Sequence, residues 1–421
     1  MSRPAPLPLI PVLVAAFTLA FATQSRAQTI IGLSEVVRFD LSATANAANS
    51  TTFIGDNPLA VGWNGSKLYV AGHNGAFGGS TSTSTAIIEI MNVAGATGFA
   101  TPTYSTAFGV LSTANNRGYT GLAMNGNQLA ASYDAGSSSI NGIQMYNASA
   151  NTQTWNLAAT GTNTANIGTT RGYAGPDFDP GYNGDPGLGG GLGWTTQGNQ
   201  RRLLNNSTNG SLIYVASTNA SLMAAYPNVQ LGMTIVPSPL TTTWRDMAFD
   251  PDTGDLYLRN QVGVVATRRT GANTDANPVD STAGQSATIY TNAGNATANN
   301  VGINIGFMDA VESSGSNSYA GNLLVFNDRG SSAAGQSWTN VIKFTTTSGS
   351  AVDAQYTFLS DPATSRAAYD FEWDTTTQTL AVLDSANLTV SIFAIPEPST
   401  YALLTLAAAG LGAHVLRRRR K

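Results

Sequence analysis

The chain has no cysteine among its 421 residues. Disulfides, thiolate metal sites and cysteine nucleophiles are therefore excluded. Histidine is almost as scarce, with only His73 and His414 present. That rules out a zinc site built on several imidazoles, and it leaves a Ser-His-Asp hydrolase one candidate base in the body of the chain. Charged residues make up 10% of the sequence, against about 25% in an average soluble domain. The net charge is −4 and the basic residues of the body are scattered, so there is no electrostatic case for nucleic acid. Sustained helical spacing of apolar residues is absent between Gln28 and Ile395. No nucleophile elbow, phosphate loop or dinucleotide fingerprint occurs.

Long apolar runs are confined to the two ends. Arg3 precedes an apolar stretch from Leu7 to Ala22, and Ser25-Arg26-Ala27 places small residues where a signal peptidase cuts. Residues 1–27 read as a signal peptide, with cleavage between Ala27 and Gln28. The other end carries Pro396-Glu397-Pro398, an apolar run from Tyr401 to Leu416, and the basic cluster Arg417, Arg418, Arg419, Arg420 and Lys421. Ser399 and Thr400 bring that run to the lower edge of the roughly 17–25 residues a spanning helix needs. The arginines mark its cytoplasmic end. The alternative is a terminal amphipathic helix, but the run has no polar face.

The order Pro-Glu-Pro, apolar helix, arginine block resembles the PEP-CTERM sorting signal of bacterial envelope proteins. The resemblance covers residues 395–421 and implies an address, not an activity. Implied partners are the export machinery, signal peptidase and exosortase, a membrane-embedded cysteine protease or transpeptidase. The implied route is a membrane-tethered precursor, then a cell-surface or extracellular product. Bacteria bearing such signals typically make exopolysaccharide, which makes a matrix or biofilm partner an expectation by association.

Residues 28–394 read as one all-β extracellular domain. The recurring unit is a strand, a tight polar turn and a second strand, trailed by a looser third. Leu59–Trp63, Asn64-Gly65-Ser66-Lys67 and Leu68–Gly72 form the first, since Asn-Gly between apolar runs is a strong hairpin signal. Second-strand leucines at 68, 129, 212, 256, 323 and 380 mark the repeats, with gaps of 61, 83, 44, 67 and 57 residues. Small sheets with two apolar faces are stable only between neighbours, so the reading is a β-propeller-like body of six or seven blades. A large sandwich or solenoid is the alternative. An early strand, Glu35–Leu41, is expected to complete the last blade beside Leu388–Phe393. Ala158–Asn209 and Thr270–Asn300, rich in Thr, Asn, Gly and Ser, read as long surface loops.

Arg, Tyr and Asp recur where first strands begin: Arg117 and Tyr119, Arg171 and Tyr173, Arg245 and Asp246, Asp309, Arg366 and Asp370. In a propeller these would ring one mouth of the central channel and suit a glycan. The structural reading is a set of Arg–Asp pairs locking the ring. Asp370-Phe371-Glu372-Trp373-Asp374 puts three acids on one face of a strand, either as a functional cluster or as caps for turns and partners for Arg366. Asp250, Asp252 and Asp255 around Gly254 resemble the start of a calcium loop, but they also suit a plain hairpin turn. Asp177 to Asp185 reads the same way. His73 reads as a loop residue. No motif requires a cofactor, and calcium is the only metal suggested. The expected function is a non-enzymatic module binding polysaccharide or envelope components. The alternative is a glycan hydrolase or lyase using acids at the channel mouth.

Overall fold

Alternating apolar segments bounded by Asn-Gly and Asp/Thr-rich turns give strands and nothing else. The computed structural model describes residues 30–42, 54–55, 57–73, 85–111, 118–134, 142–158, 177–179, 202–206, 211–215, 230–234, 244–249, 256–260, 263–267, 286–291, 308–311, 323–327, 342–346, 351–357, 359, 369–374, 376–385 and 387–394. Every named element among them is a β-strand. Residues 1–27, expected to be a signal peptide, and the apolar C-terminal run lie outside the described residues. No helix among the described residues is long and apolar enough to cross a membrane.

β1 (Ile30–Asp40) comes first. Six sets follow. The first holds β2 (Asn57–Trp63), β3 (Leu68–His73), β4 (Thr85–Ile90) and two short strands, β5 (Gly98–Ala100) and β6 (Phe108–Leu111). The second is β7 (Gly118–Asn125), β8 (Gln128–Asp134), β9 (Gly142–Asn147) and β10 (Thr152–Ala158). The third is β11 (Asp177–Asp179), β12 (Arg202–Asn206), β13 (Ser211–Val215) and β14 (Gln230–Thr234). The fourth is β15 (Trp244–Phe249), β16 (Leu256–Asn260), β17 (Gly263–Thr267) and β18 (Ser286–Thr291). The fifth is β19 (Met308–Val311), β20 (Leu323–Asn327), β21 (Ile342–Thr346) and β22 (Ala351–Thr357). The sixth is β23 (Tyr369–Asp374), β24 (Thr379–Asp384) and β25 (Thr389–Ala394).

Neighbouring strands within a set pair antiparallel, in chain order, with β6 taking the place beside β4. The first strand of each set lies next to the first strand of the following one. β2 neighbours β7, β7 neighbours β11, β11 neighbours β15, β15 neighbours β19, β19 neighbours β23, and β23 neighbours β2.

The first set has an apolar residue on each side of its sheet, as strand alternation dictates. Val61, Trp63, Leu68, Val70, Ile88 and Ile90 face the sixth set, where Ala381, Leu383, Val390 and Ile392 meet them. Ala60, Tyr69, Ala71 and Ile87 face the second set and pack with Tyr119, Leu122, Met124, Leu129 and Tyr146. Each large aliphatic side chain so buried contributes about 1.5–3 kcal/mol. Neither side is available to an isolated sheet, which is why the sets stand only together.

β1 binds three sets at once. Its first half, Ile30 to Ser34, runs parallel to Asp353–Thr357 of β22. Its second half, Ser34 to Asp40, runs antiparallel to β25 and supplies the sixth set with a fourth strand. This is the pairing expected for the early strand. Residues 37–39 also pair with the short β5 on the other side. Phe39 and Leu41 are fully enclosed in the core that this strand closes. A bulge between Glu35 and Val37 turns both charged side chains inward. There the Arg38 guanidinium makes two 2.7 Å bonds to the Glu35 carboxylate and lies 5.1 Å from the Phe99 ring centroid. Glu35 also accepts the Leu359 amide at 3.0 Å.

Several expectations are corrected. The stretch Ala158–Asn209 is not one loop, because β11 and β12 lie inside it and pair with each other. Asp177 and Asp179 accordingly belong to a strand, not a hydrophilic turn. The stretch Thr270–Asn300 likewise contains β18. Leu212 is on the third strand of its set, not the second. That displaced marker accounts for part of the 83-residue gap. His73 ends β3, paired with Asn57 and with Gly118, and is not a loop residue.

Candidate functional site

The first strand of every set has an edge that no strand of its own set covers. Amides on such an edge need acceptors from elsewhere. β23 supplies two. Its sequence alternates, so Phe371 and Trp373 take one face while Asp370, Glu372 and Asp374 take the other; all five are buried. The Asp370 carboxylate accepts the Val61 amide of β2 at 2.7 Å. Glu372, two residues on, reaches past β2 to the Met124 amide of β7, also at 2.7 Å. Asp374 ends the strand and accepts both the amide and the hydroxyl of Thr377 at 2.6 Å, capping its own hairpin. A hydrogen bond to an ionised acceptor is roughly twice as strong as a neutral one. Asp370 and Glu372 thus stitch the sixth, first and second sets together along their inner edges.

The hairpin above them is held by the same logic. Asn64 Oδ1 accepts the Ser66 and Lys67 amides, and its Nδ2 donates to the Gly126 carbonyl of the next hairpin. Gly65 adopts φ +83°, and a Cβ there would run into the Asp374 carboxylate. Trp63 Nε1 donates to Thr379 Oγ1 at 2.8 Å, crossing between the same two sets.

Of the Arg/Tyr/Asp residues expected at one mouth, the described residues bring few together. Asp246 stands opposite Arg259 and Asp370 opposite Leu383, each three positions beyond its marker leucine. Asp309 stands opposite Val325, only two beyond Leu323. Counted from the strand starts, all three occupy the second paired position of their first strands. Arg245 falls at a bulge between Trp244 and Asp246. Equivalent irregularities occur between Pro58 and Ala60 and between Tyr119 and Gly121. The Tyr119 hydroxyl turns into the sheet packing, where it meets the Gly109 carbonyl and Gln144 Oε1. Arg117, Arg171, Tyr173, Arg366, Asp250, Asp252 and Asp255 lie outside the described residues. So do Pro396, Glu397, Pro398 and Arg417 to Arg420. Among the described residues no group of three or more His, Cys, Asp or Glu side chains is placed to hold a metal ion.

Two buried polar clusters were not foreseen. Tyr119 and Tyr146 share the Gln144 carbonyl oxygen, and Phe108 packs edge-on against Tyr146 and Tyr69. Burial pushes the Tyr119 phenol well above its ordinary range and that of Tyr146 up to about 12. Tyr69 is raised too, first by burial and then by the Glu89 charge. Glu89 in turn holds Lys67 at 2.8 Å and Asn151 at 2.9 Å. The charged residue inside the apolar run Ile87-Ile88-Glu89-Ile90 was the available signal. At neutral pH these phenols are locked, neutral donors; the arrangement is suited to holding sheets together rather than to acid–base chemistry.

Comparison with known proteins adds an address. Residues 394–421 match the PEP-CTERM protein-sorting motif, at the C-terminus, consistent with an exosortase substrate. The motif implies export, surface sorting and processing by an exosortase. No curated protein matches the chain. Among solved structures, an auxiliary nutrient binding protein from Bacteroides thetaiotaomicron is similar at 9% identity and a TM-score of 0.46, over 80% of this chain and 69% of its own. The WD40 beta propeller domain of Doa1 is similar at 10% identity and a TM-score of 0.40, over 81% of this chain and 80% of its own.

Proposed function

We propose that the chain is an exosortase-sorted surface or matrix protein whose body is a six-bladed β-propeller. In this reading it is a non-enzymatic binding module for polysaccharide or another envelope component. The cycle of neighbouring first strands, and β1 completing the last set beside β25, support the propeller. The observation that carries the functional half is the use made of the acids. Asp370 and Glu372 are buried and accept backbone amides of adjacent sets. Carboxylates used in this way serve the ring; nothing in their geometry favours glycosidic bond cleavage, which needs a pair of acids facing a substrate across about 5–9.5 Å. A weakly charged surface rich in Thr, Asn, Ser and Gly is suited to hydrogen-bonding neutral sugars, and calcium at Asp250, Asp252 and Asp255 is the metal this reading would admit.

The test is a glycan array probed with the body, residues 28–394, in calcium and again in chelator. Binding without turnover of the bound glycan is the expected result. Turnover would replace the module by the enzyme reading. A blank array in both conditions would leave a structural coat protein.

A further inference from the structure

The register of β1 against β25 fixes where the two ends of the body leave the sheets. Ser34 pairs with Ala394, and Asp40 pairs with Thr389. β25 therefore finishes at the end of the sixth sheet where β1 starts. The same end carries the turns between first and second strands, since Asp374 pairs with Thr379 and Thr379 pairs with Ala394. Asn64–Lys67 and Gly126-Asn127 belong to that end as well, joined by the bond from Asn64 to Gly126. The starts of the first strands, with Asp370 and Gly118, lie at the opposite end.

Only residues 395–400 separate β25 from the apolar run that begins at Tyr401. Six residues reach at most about 20 Å. A β-strand the length of β7, eight residues, spans about 25 Å. So short a tether cannot let the body turn over. We propose that the precursor rests with its hairpin end against the lipid surface and presents the opposite end, with the first-strand starts, outward. The inference rests on residues 401–416 being a membrane tether. Two surface features fit a lipid neighbour. Val36 and Leu359 are exposed beside the Ser34 end of β1, and Leu359 is held there by Glu35. Lys67 of the first hairpin is paired with Glu89, so it presents no free charge to the headgroups.

The absence of cysteine makes the test direct. Single-cysteine variants of the full chain are labelled with a fluorescent donor and reconstituted in phosphatidylethanolamine/phosphatidylglycerol vesicles with an acceptor on the lipid headgroups. Ser66→Cys and Thr376→Cys report the hairpin end; Ser42→Cys reports the other. Transfer at least twofold greater from the hairpin end is expected. Equal or reversed transfer overturns the proposal. A precursor that fails to enter vesicles at all defeats the tether reading, and the orientation falls with it. A long Gly/Ser linker inserted after Ile395 should erase the difference while vesicle association persists. A difference that survives the linker would overturn the short-tether argument.

Discussion

The two faces of the first sheet are built from different chemistry. Toward the sixth set the contact is aliphatic and dry, with Val61, Val70, Ile88 and Ile90 against Leu383, Val390 and Ile392. Toward the second set it is phenolic, with Tyr69, Tyr119 and Tyr146 arranged about Gln144, Ala148 and Gly109. The dry face joins the first set to the last, far apart in the chain, and brings together the two ends of the body. The phenolic face joins neighbours in sequence. A contact with no help from short loops leans on apolar burial, which is strong and non-directional. A contact between sequence neighbours is already close in the chain, and directional hydrogen bonds can then fix its register.

The largest expected effect breaks the dry face. Phe39 is fully buried in the part of the core that β1 closes. Phe39→Ala should destabilise the body by about 3–5 kcal/mol, from lost transfer energy and the cavity left behind. Urea unfolding of the body measures it. A loss below about 1 kcal/mol would mean that the joining of the two ends contributes little.

The phenolic face should fail in alkali. Burial raises the Tyr146 phenol to about 12, while an unfolded tyrosine titrates near 10. Above pH 10 the unfolded chain releases that proton and the folded chain keeps it, so stability falls as pH rises. The contribution is fully present below about pH 10 and is lost between there and about pH 12, on the order of 2–3 kcal/mol. Tyr119, raised further, adds to the same fall. Tyr146→Phe should be less stable at pH 7 by about 1 kcal/mol but lose less between pH 10 and 12. Parallel curves for the two proteins would refute a titrating role for Tyr146.

Much of this contrast was legible in advance, and the rest was not for physical reasons. Asn64-Gly65 and Asn125-Gly126 announce their hairpins because turn chemistry is local. The pairing of β1 with β25 was legible because an apolar strand without its own hairpin needs a partner. The later strands of the sets, such as β14 and β18, carry no sequence signal because edge strands need no apolar alternation. β11 was hidden because Asp177-Phe178-Asp179, before Pro180, reads as a turn. For Asp370 the sequence offers a functional cluster, a turn cap or a pairing with Arg366, and none of these includes the amide 309 positions away that it accepts. No local pattern encodes that distance. The alternation that turns Asp370 and Glu372 to one side was visible; what lay on that side was not.

The smallest effect separates acceptor from charge at that position. Asp370→Ala removes the oxygen that Val61 N–H uses, leaving a buried donor unpaired at a cost of about 1–3 kcal/mol. Asp370→Asn keeps an oxygen of the same reach and gives up only the charge assistance, so it should cost roughly half as much. Urea midpoints of the two variants, compared at pH 7, give the ratio. If Asn and Ala are equally damaging, the negative charge itself is what the site needs. If Asn is the milder change, the carboxylate is an edge cap for β2. The aliphatic contact beside it then shares its register with directional bonds, this one and the bond from Trp63 to Thr379, the same device that the phenolic face uses throughout.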